Sequence, residues 1–180
     1  MRLASLFSGG KDSTYSIYLA KNQGHEIKCL LSVFPKSDES HLLHYPNLQW
    51  TNLQSQSMQI PHLTIKSESN RTDTEINALE KILIQSIDEY QIEGLIHGGI
   101  QSQFQKDKFE NLCDRLNLKS ITPLWNRNPL EYMNELISSH FRYIITSVSS
   151  GGLDDSWLGK VITNIDVVTL YNLSQKFGFN

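Results

Sequence analysis

The sequence predicts an α/β protein built on a mostly parallel sheet of five or six strands with helices on both faces. Three observations carry this expectation. Short apolar runs alternate with segments of helical spacing along the chain. The first elements read strand, glycine turn, helix, strand, a βαβ unit whose right-handed crossover makes its strands parallel. Glycine pairs follow apolar runs at Gly9-Gly10, Gly98-Gly99 and Gly151-Gly152, as expected at the carboxyl edge of such a sheet, where ligands bind.

Each element has its own signal. Arg2 to Phe7 is a short apolar strand stopped by Ser8-Gly9-Gly10. From Asp12, residues Tyr15, Ile17, Tyr18 and Leu19 suit a helix with one buried face, ended by Gly24. Glu26 to Phe34 reads as a second strand closed by Pro35, and residues 36–56 read as polar and irregular. Ile60 to Lys66 is the third strand. Thr72 and Glu75 have the spacing of a capping box ahead of Ile76, Leu79, Leu83 and Ile87. Gly94 to Ile100 is a strand running into glycines, and Phe109, Leu112, Cys113 and Leu116 mark the next helix. Residues 120–125 give a short fifth strand, and Asn128-Pro129 with Glu131 gives a capped helix start. Phe141 to Ser150 reads as a final strand before "GGLDDSWLGK".

At 180 residues, without repeat or linker, the chain is expected to be one domain, with residues 120–180 carrying a substrate-binding region. A formal charge of -3 gives no reason to expect direct nucleic-acid binding. No segment approaches the ~20 apolar residues of a membrane span, so a cytoplasmic protein without a membrane partner is expected. Two distant cysteines, Cys29 and Cys113, suit small buried side chains better than a disulfide or zinc framework.

The stretch "SGGKDS", Ser8 to Ser13, lies between a strand and a helix. Glycines there let backbone N–H groups approach an anion, and the helix start adds partial positive charge. Lys11 adds a full charge, and the hydroxyls of Ser8 and Ser13 can donate. Phosphate is the natural guest. The spacing is not that of the Walker loop, which puts four residues between its first glycine and Gly-Lys. It also lacks the pattern of the dinucleotide fingerprint. Asp12 is the nearby oxygen ligand for a hard cation, or else an aspartate favouring the helix dipole.

"SGGKDS" resembles the PP-loop of ATP pyrophosphatases, enzymes of the adenine nucleotide alpha hydrolase-like superfamily with a Rossmann-like fold. "HLLHYPN", "GGIQSQFQKDKFENLCDRLNLKSITPLW" and "GLDDSWLGK" are similar, in that order, to signatures of the diphthine–ammonia ligase family, and together they cover essentially the whole chain. The resemblance implies ATP and Mg²⁺ as cofactors. It implies adenylation of the diphthine carboxylate on translation elongation factor 2, amidation by ammonium, and release of AMP and pyrophosphate. Ser8, Gly9, Gly10, Lys11, Asp12 and Ser13 would hold the nucleotide, with Gly98 and Gly99 against its adenosine and Asp12 on the metal. Lys11, Asp12, Asp154 and Lys160 would act in catalysis. His44, Gln101, Ser102, Asp155 and Trp157 would bind substrate. A homodimer is left open. After the stretch resembling "LSQKFGFN" the family usually continues into a Gly-Glu-rich segment, which this chain, ending at Asn180, is expected to lack. The alternatives are a PP-loop enzyme acting on tRNA or a small metabolite, and an ATP-binding protein without full activity.

Overall fold

In a computed structural model, which describes residues 1–43 and 47–179, β1 (Arg2–Leu6) is the centre of a five-stranded sheet. The others are β2 (Glu26–Phe34), β3 (His62–Lys66), β4 (Gly94–Ile96) and β5 (Lys119–Ile121). Their order is β3-β2-β1-β4-β5, and every pairing is parallel. The chain winds outward from β1 to β3, then restarts on the other side of β1 with β4. The order therefore reverses between β1 and β4, and a crevice opens there beyond the strand ends.

Helices cover both faces. α1 (Lys11–Asn22) puts Ile17 and Ala20 on a cluster with Leu3, Phe7, Leu30 and Ile96. α3 (Thr72–Tyr90) and α4 (Gln103–Arg115) cover the opposite face, where Leu79, Leu83, Phe109 and Leu112 meet Ala4, Leu31 and Leu95. Leu79, Leu83 and Leu112 are fully buried, and each such leucine contributes about 1.5–3 kcal/mol relative to exposure. Both cysteines are free thiols inside this core, and burial pushes Cys29 up to about 11 and Cys113 up to about 12.

The chain divides into two compact units, Met1–Trp125 and Asn126–Asn180, where the sequence offered no linker to part them. The second contains α5 (Pro129–Ser138) and α6 (Asn164–Phe177). α5 starts as its sequence predicts, with Asn128 accepting from the Glu131 amide ahead of Pro129.

Five expectations are corrected. Residues 36–56 are not wholly irregular, because α2 (Thr51–Met58) begins within them after a 3₁₀ turn at Leu48–Trp50. Thr72 and Glu75 form no capping box. The N-cap is Arg71, without a side-chain cap bond, and Glu75 is buried. The strand read at 120–125 stops at Ile121, and β4 stops at Ile96, four residues before the expected Ile100. Phe141 to Ser150 joins no sheet. Among the described residues it makes only isolated bridges, Ile144 to Val161 and Ile145 to Leu158.

Candidate functional site

The segment from Phe7 to Ser13 turns from the end of β1 into α1. Gly9 takes φ +75°, the left-handed conformation that favours glycine, and a side chain on it would meet Gln54 and Thr51. Gly10 is the N-cap of α1 and offers no side-chain cap. The helix start therefore keeps its positive end turned outward, as an anion site requires. Hydroxyls tighten the turn. Ser13 donates to the Gly10 carbonyl at 3.1 Å, and its oxygen lies 3.2 Å from that of Ser8. The Lys11 ammonium sits on the Asp12 carboxylate at 2.7 Å, both half-exposed.

Gly98 ties β4 to this turn. A Cβ there would stand 2.7 Å from the Asp12 carbonyl carbon and the Ser13 amide nitrogen, so only glycine lets the two backbones meet. Beside them lies a cavity of about 210 Å³. Leu6, Val33, Leu42 and Phe109 give it an apolar wall, and Ser8, Asp12 and Ser13 give it a polar edge. Gly98 and Gly99 also line it, at the reversal of strand order.

The residues present fit a cation carried in on a polyphosphate. Asp12 is the carboxylate of the cavity lining, and among the described residues no group of three His, Cys, Asp or Glu side chains forms a metal cage. Magnesium usually takes one or two carboxylates and completes its shell with phosphate oxygens and water.

Two further residues escaped the sequence reading. Gln54 on α2 donates from Nε2 to the Gly9 carbonyl at 2.9 Å, fastening the loop from outside. Gln105 on α4 donates to the Leu42 carbonyl at 2.9 Å and holds the apolar wall in place. Neither lies in the glycine-rich stretches, and nothing in the spacing of "TNLQSQSM" marks Gln54. Gln105 sits in a quoted signature, which was its only signal.

Other expected site residues are placed differently. Gln101 and Ser102 are exposed, and the Ser102 hydroxyl caps α4 by accepting from the Gln105 amide at 3.3 Å. That local bond explains why a serine stands there. His44 lies outside the described residues. In the second unit, Asp154 accepts from the amide and hydroxyl of Ser156, and these bonds hold its carboxyl below the usual range. It is the cap of a 3₁₀ turn over Asp155–Trp157. Lys160 pairs with Asp166 and lies 5.2 Å over the Trp157 ring. Asp166 also accepts from Thr163, in a capping box at the start of α6. Lys160 first, then Thr163, lowers the Asp166 carboxyl to about 2. Asp155 is exposed.

An uncapped helix start bearing Ser-Gly-Gly-Lys-Asp-Ser, set at the switch point of a parallel sheet beside a small apolar cavity, defines a nucleotide-binding α/β protein of the PP-loop class. The family model for the diphthamide synthase N-terminal domain matches residues 1–120, and that for the C-terminal domain matches residues 128–180. Diphthine–ammonia ligase of Mus musculus is 33% identical over 196 residues, covering 99% of this chain and 73% of the relative. The Homo sapiens diphthine–ammonia ligase is likewise 33% identical with the same coverage. The chain belongs to the diphthamide synthase family. Among solved structures, a U34-tRNA thiolase from Methanococcus maripaludis is similar with a TM-score of 0.50 at 13% identity, covering 98% of this chain and 66% of that one. That likeness concerns the fold.

Proposed function

We propose that the protein is an ATP-dependent ligase that amidates the diphthine side chain of translation elongation factor 2, in the cytoplasm, using ammonium. The observation that carries this is the complete Ser8–Ser13 loop, locked onto Gly98 at the sheet's switch point, in a chain that belongs to this family over nearly its whole length.

The chemistry follows from the loop. Ser8, Ser13, the α1 amides and Lys11 hold the β,γ-pyrophosphate of ATP, leaving the α-phosphate open to attack. Lys11 exchanges its partner Asp12 for phosphate oxygen. Asp12 would then hold Mg²⁺, which supplies charge neutralisation on the phosphates. A carboxylate oxygen of diphthine attacks the α-phosphorus, and the bond to the bridging oxygen of pyrophosphate breaks. Ammonia, formed from ammonium by loss of a proton, then attacks the acyl carbon. AMP leaves and the nitrogen sheds a proton, giving the amide.

For the second unit we propose acceptor binding by "GLDDSWLGK". Exposed Asp155 and Lys160, with the half-buried Trp157 ring beneath the lysine, present an acidic, aromatic and cationic set, held in shape by Asp154 and Asp166. Asp154 and Asp166 act here as positioning residues. The family reading outranks a tRNA or metabolite substrate because the likeness spans both halves of the chain. The test is incubation with diphthine-bearing factor, ATP and heavy-nitrogen ammonium, read by mass spectrometry of the modified histidine peptide. Incorporation of one heavy nitrogen is expected. Its absence in a preparation that binds ATP would remove the diphthine reading and leave the nucleotide site standing.

A further inference from the structure

In the loop of the second unit a cation already lies on an aromatic face. Lys160 Nζ stands 5.2 Å over the Trp157 ring, and the same ammonium donates to Asp166. Asp166 is fixed in the capping box of α6 with its side chain 10% exposed, whereas the lysine side chain is 47% exposed. The lysine is therefore the movable partner of the ring. Backbone bonds hold the loop around it. Trp157 donates to the Asp154 carbonyl at 3.2 Å and Leu158 to that of Asp155 at 3.1 Å. Gly159 donates to the Ile145 carbonyl at 2.9 Å, and Ile162 to that of Tyr143 at 3.1 Å. Little ordering of this backbone remains for a ligand to impose.

The surroundings favour a positive guest. Asp154, Asp155 and Asp166 stand against the single Lys160 between residues 151 and 166, three negative charges to one positive, a formal balance of -2. Gly159, between ring and lysine, takes φ +73°, and a Cβ built there would meet nothing within 4 Å. The chain joining the pair borders open space.

A lysine on this ring sets a threshold for what can displace it. A primary ammonium is strongly hydrated and gains from the ring only what Lys160 already gains, at the high effective concentration of a residue three positions away. A quaternary ammonium has no N–H to satisfy and spreads its charge over methyl groups that cover a tryptophan face. It wins the ring, and the lysine keeps Asp166. Diphthine carries such a group, a trimethylammonium on the carbon bonded to its carboxylate. We propose that the Trp157 face is the quaternary-ammonium subsite of the acceptor loop, uncovered when Lys160 swings aside, and that it separates the methylated acceptor from the same side chain bearing a primary amine. This rests on the reading of "GLDDSWLGK" as the acceptor loop.

The experiment is a titration of the full chain followed by the indole Nε1–H resonances of its three tryptophans, with Trp157 assigned by the signal missing from Trp157→Phe. Trimethylglycine is the probe. Glycine has the same charges without the methyl groups, and 3,3-dimethylbutanoate has the same shape without the ammonium. Trimethylglycine should move the Trp157 signal saturably and bind roughly three- to thirtyfold more tightly than either control. In Lys160→Gln it should bind several-fold more tightly still, because the internal competitor is gone. Equal binding of glycine would reduce the loop to an acidic surface, and equal binding of 3,3-dimethylbutanoate to an apolar one. Either result on the unaltered protein overturns the proposal, as does an unmoved Trp157 signal. Equal or weaker binding to a folded Lys160→Gln overturns it too. The diphthine reading fails separately. A selective trimethylglycine response in a protein that amidates no diphthine-bearing factor would keep the ring subsite and remove its assigned acceptor.

Discussion

Lys11 and Asp12 are adjacent, so each already has a partner at 2.7 Å. A phosphate must therefore compete for the lysine. In the proposed binding mode it does so with a charge-assisted contact of about 1.5–3 kcal/mol, and Asp12 would be released to a cation. Lys11→Ala should accordingly weaken ATP binding roughly ten- to hundredfold by calorimetry. Unchanged affinity would remove Lys11 from the site. Lys160 poses the same question in the second unit, where Asp166 and the Trp157 ring hold it. The Asp166 carboxyl is lowered from 3.8 to about 2 in the folded chain, so its contribution is present above about pH 4 and is lost as pH falls through about 2. Amide exchange of α6 should therefore be faster in Asp166→Asn than in the unaltered protein at neutral pH. The gap should close between pH 4 and 2. A gap independent of pH would show that the pair does not carry the helix start. The loop glycines and Lys11 were legible in the sequence because an anion loop needs those residue types in that order. The Thr163–Asp166 box is just as local, but it has an aspartate where the usual signature has glutamate or glutamine, whereas Thr72 and Glu75 match that signature. There Thr72 is already the first helical residue, behind the cap Arg71, and Glu75 turns into the interior, where burial raises its pKa.

At the scale of elements, strands were easier to read than what lies between them. β2 matches its expected range because "EIKCLLSVF" is apolar on both faces, as a buried parallel strand must be. α2 was hidden for the opposite reason. "TNLQSQSM" has no apolar stripe, and it is held by a buried Thr51, a buried Ser55, the Gln54 amide and an apolar contact, Met58 against the cluster of Leu3, Phe7 and Ile17. It is held by the loop it serves, which no periodicity reveals. Gln54→Ala should raise the apparent KM for ATP several-fold while shifting the melting temperature little, since a single hydrogen bond contributes about 0.5–1.5 kcal/mol. An unchanged KM would show that α2 merely packs beside the loop. Phe141 to Ser150 misled in the other direction. Its apolar residues suit a strand, but in the structure it finds isolated bridges instead of a ladder. Alternation signals a half-buried extended segment, and pairing needs a neighbour that sequence does not show.

Across the whole molecule, the sheet order does the positioning. Reversal between β1 and β4 brings residues about ninety apart in sequence, Ser8–Ser13 and Gly98, to one edge. The two glycine pairs of the first unit foretold that edge, whereas the cavity wall from Leu42 and Gln105 depended on tertiary packing. Gly98→Ala should separate β4 from α1, lowering both ATP affinity and melting temperature, because its Cβ would press on backbone that cannot step aside. A fully stable variant with normal ATP binding would contradict the close approach. The central claim is that this geometry presents the α-phosphate of ATP to a carboxylate. Turnover with diphthine-bearing elongation factor 2, ammonium and ATP, resolved by chromatography, tests it most directly. The account predicts AMP, pyrophosphate and amide in equal amounts, with no nucleotide consumed when the acceptor is omitted. ADP and inorganic phosphate as the products would contradict it.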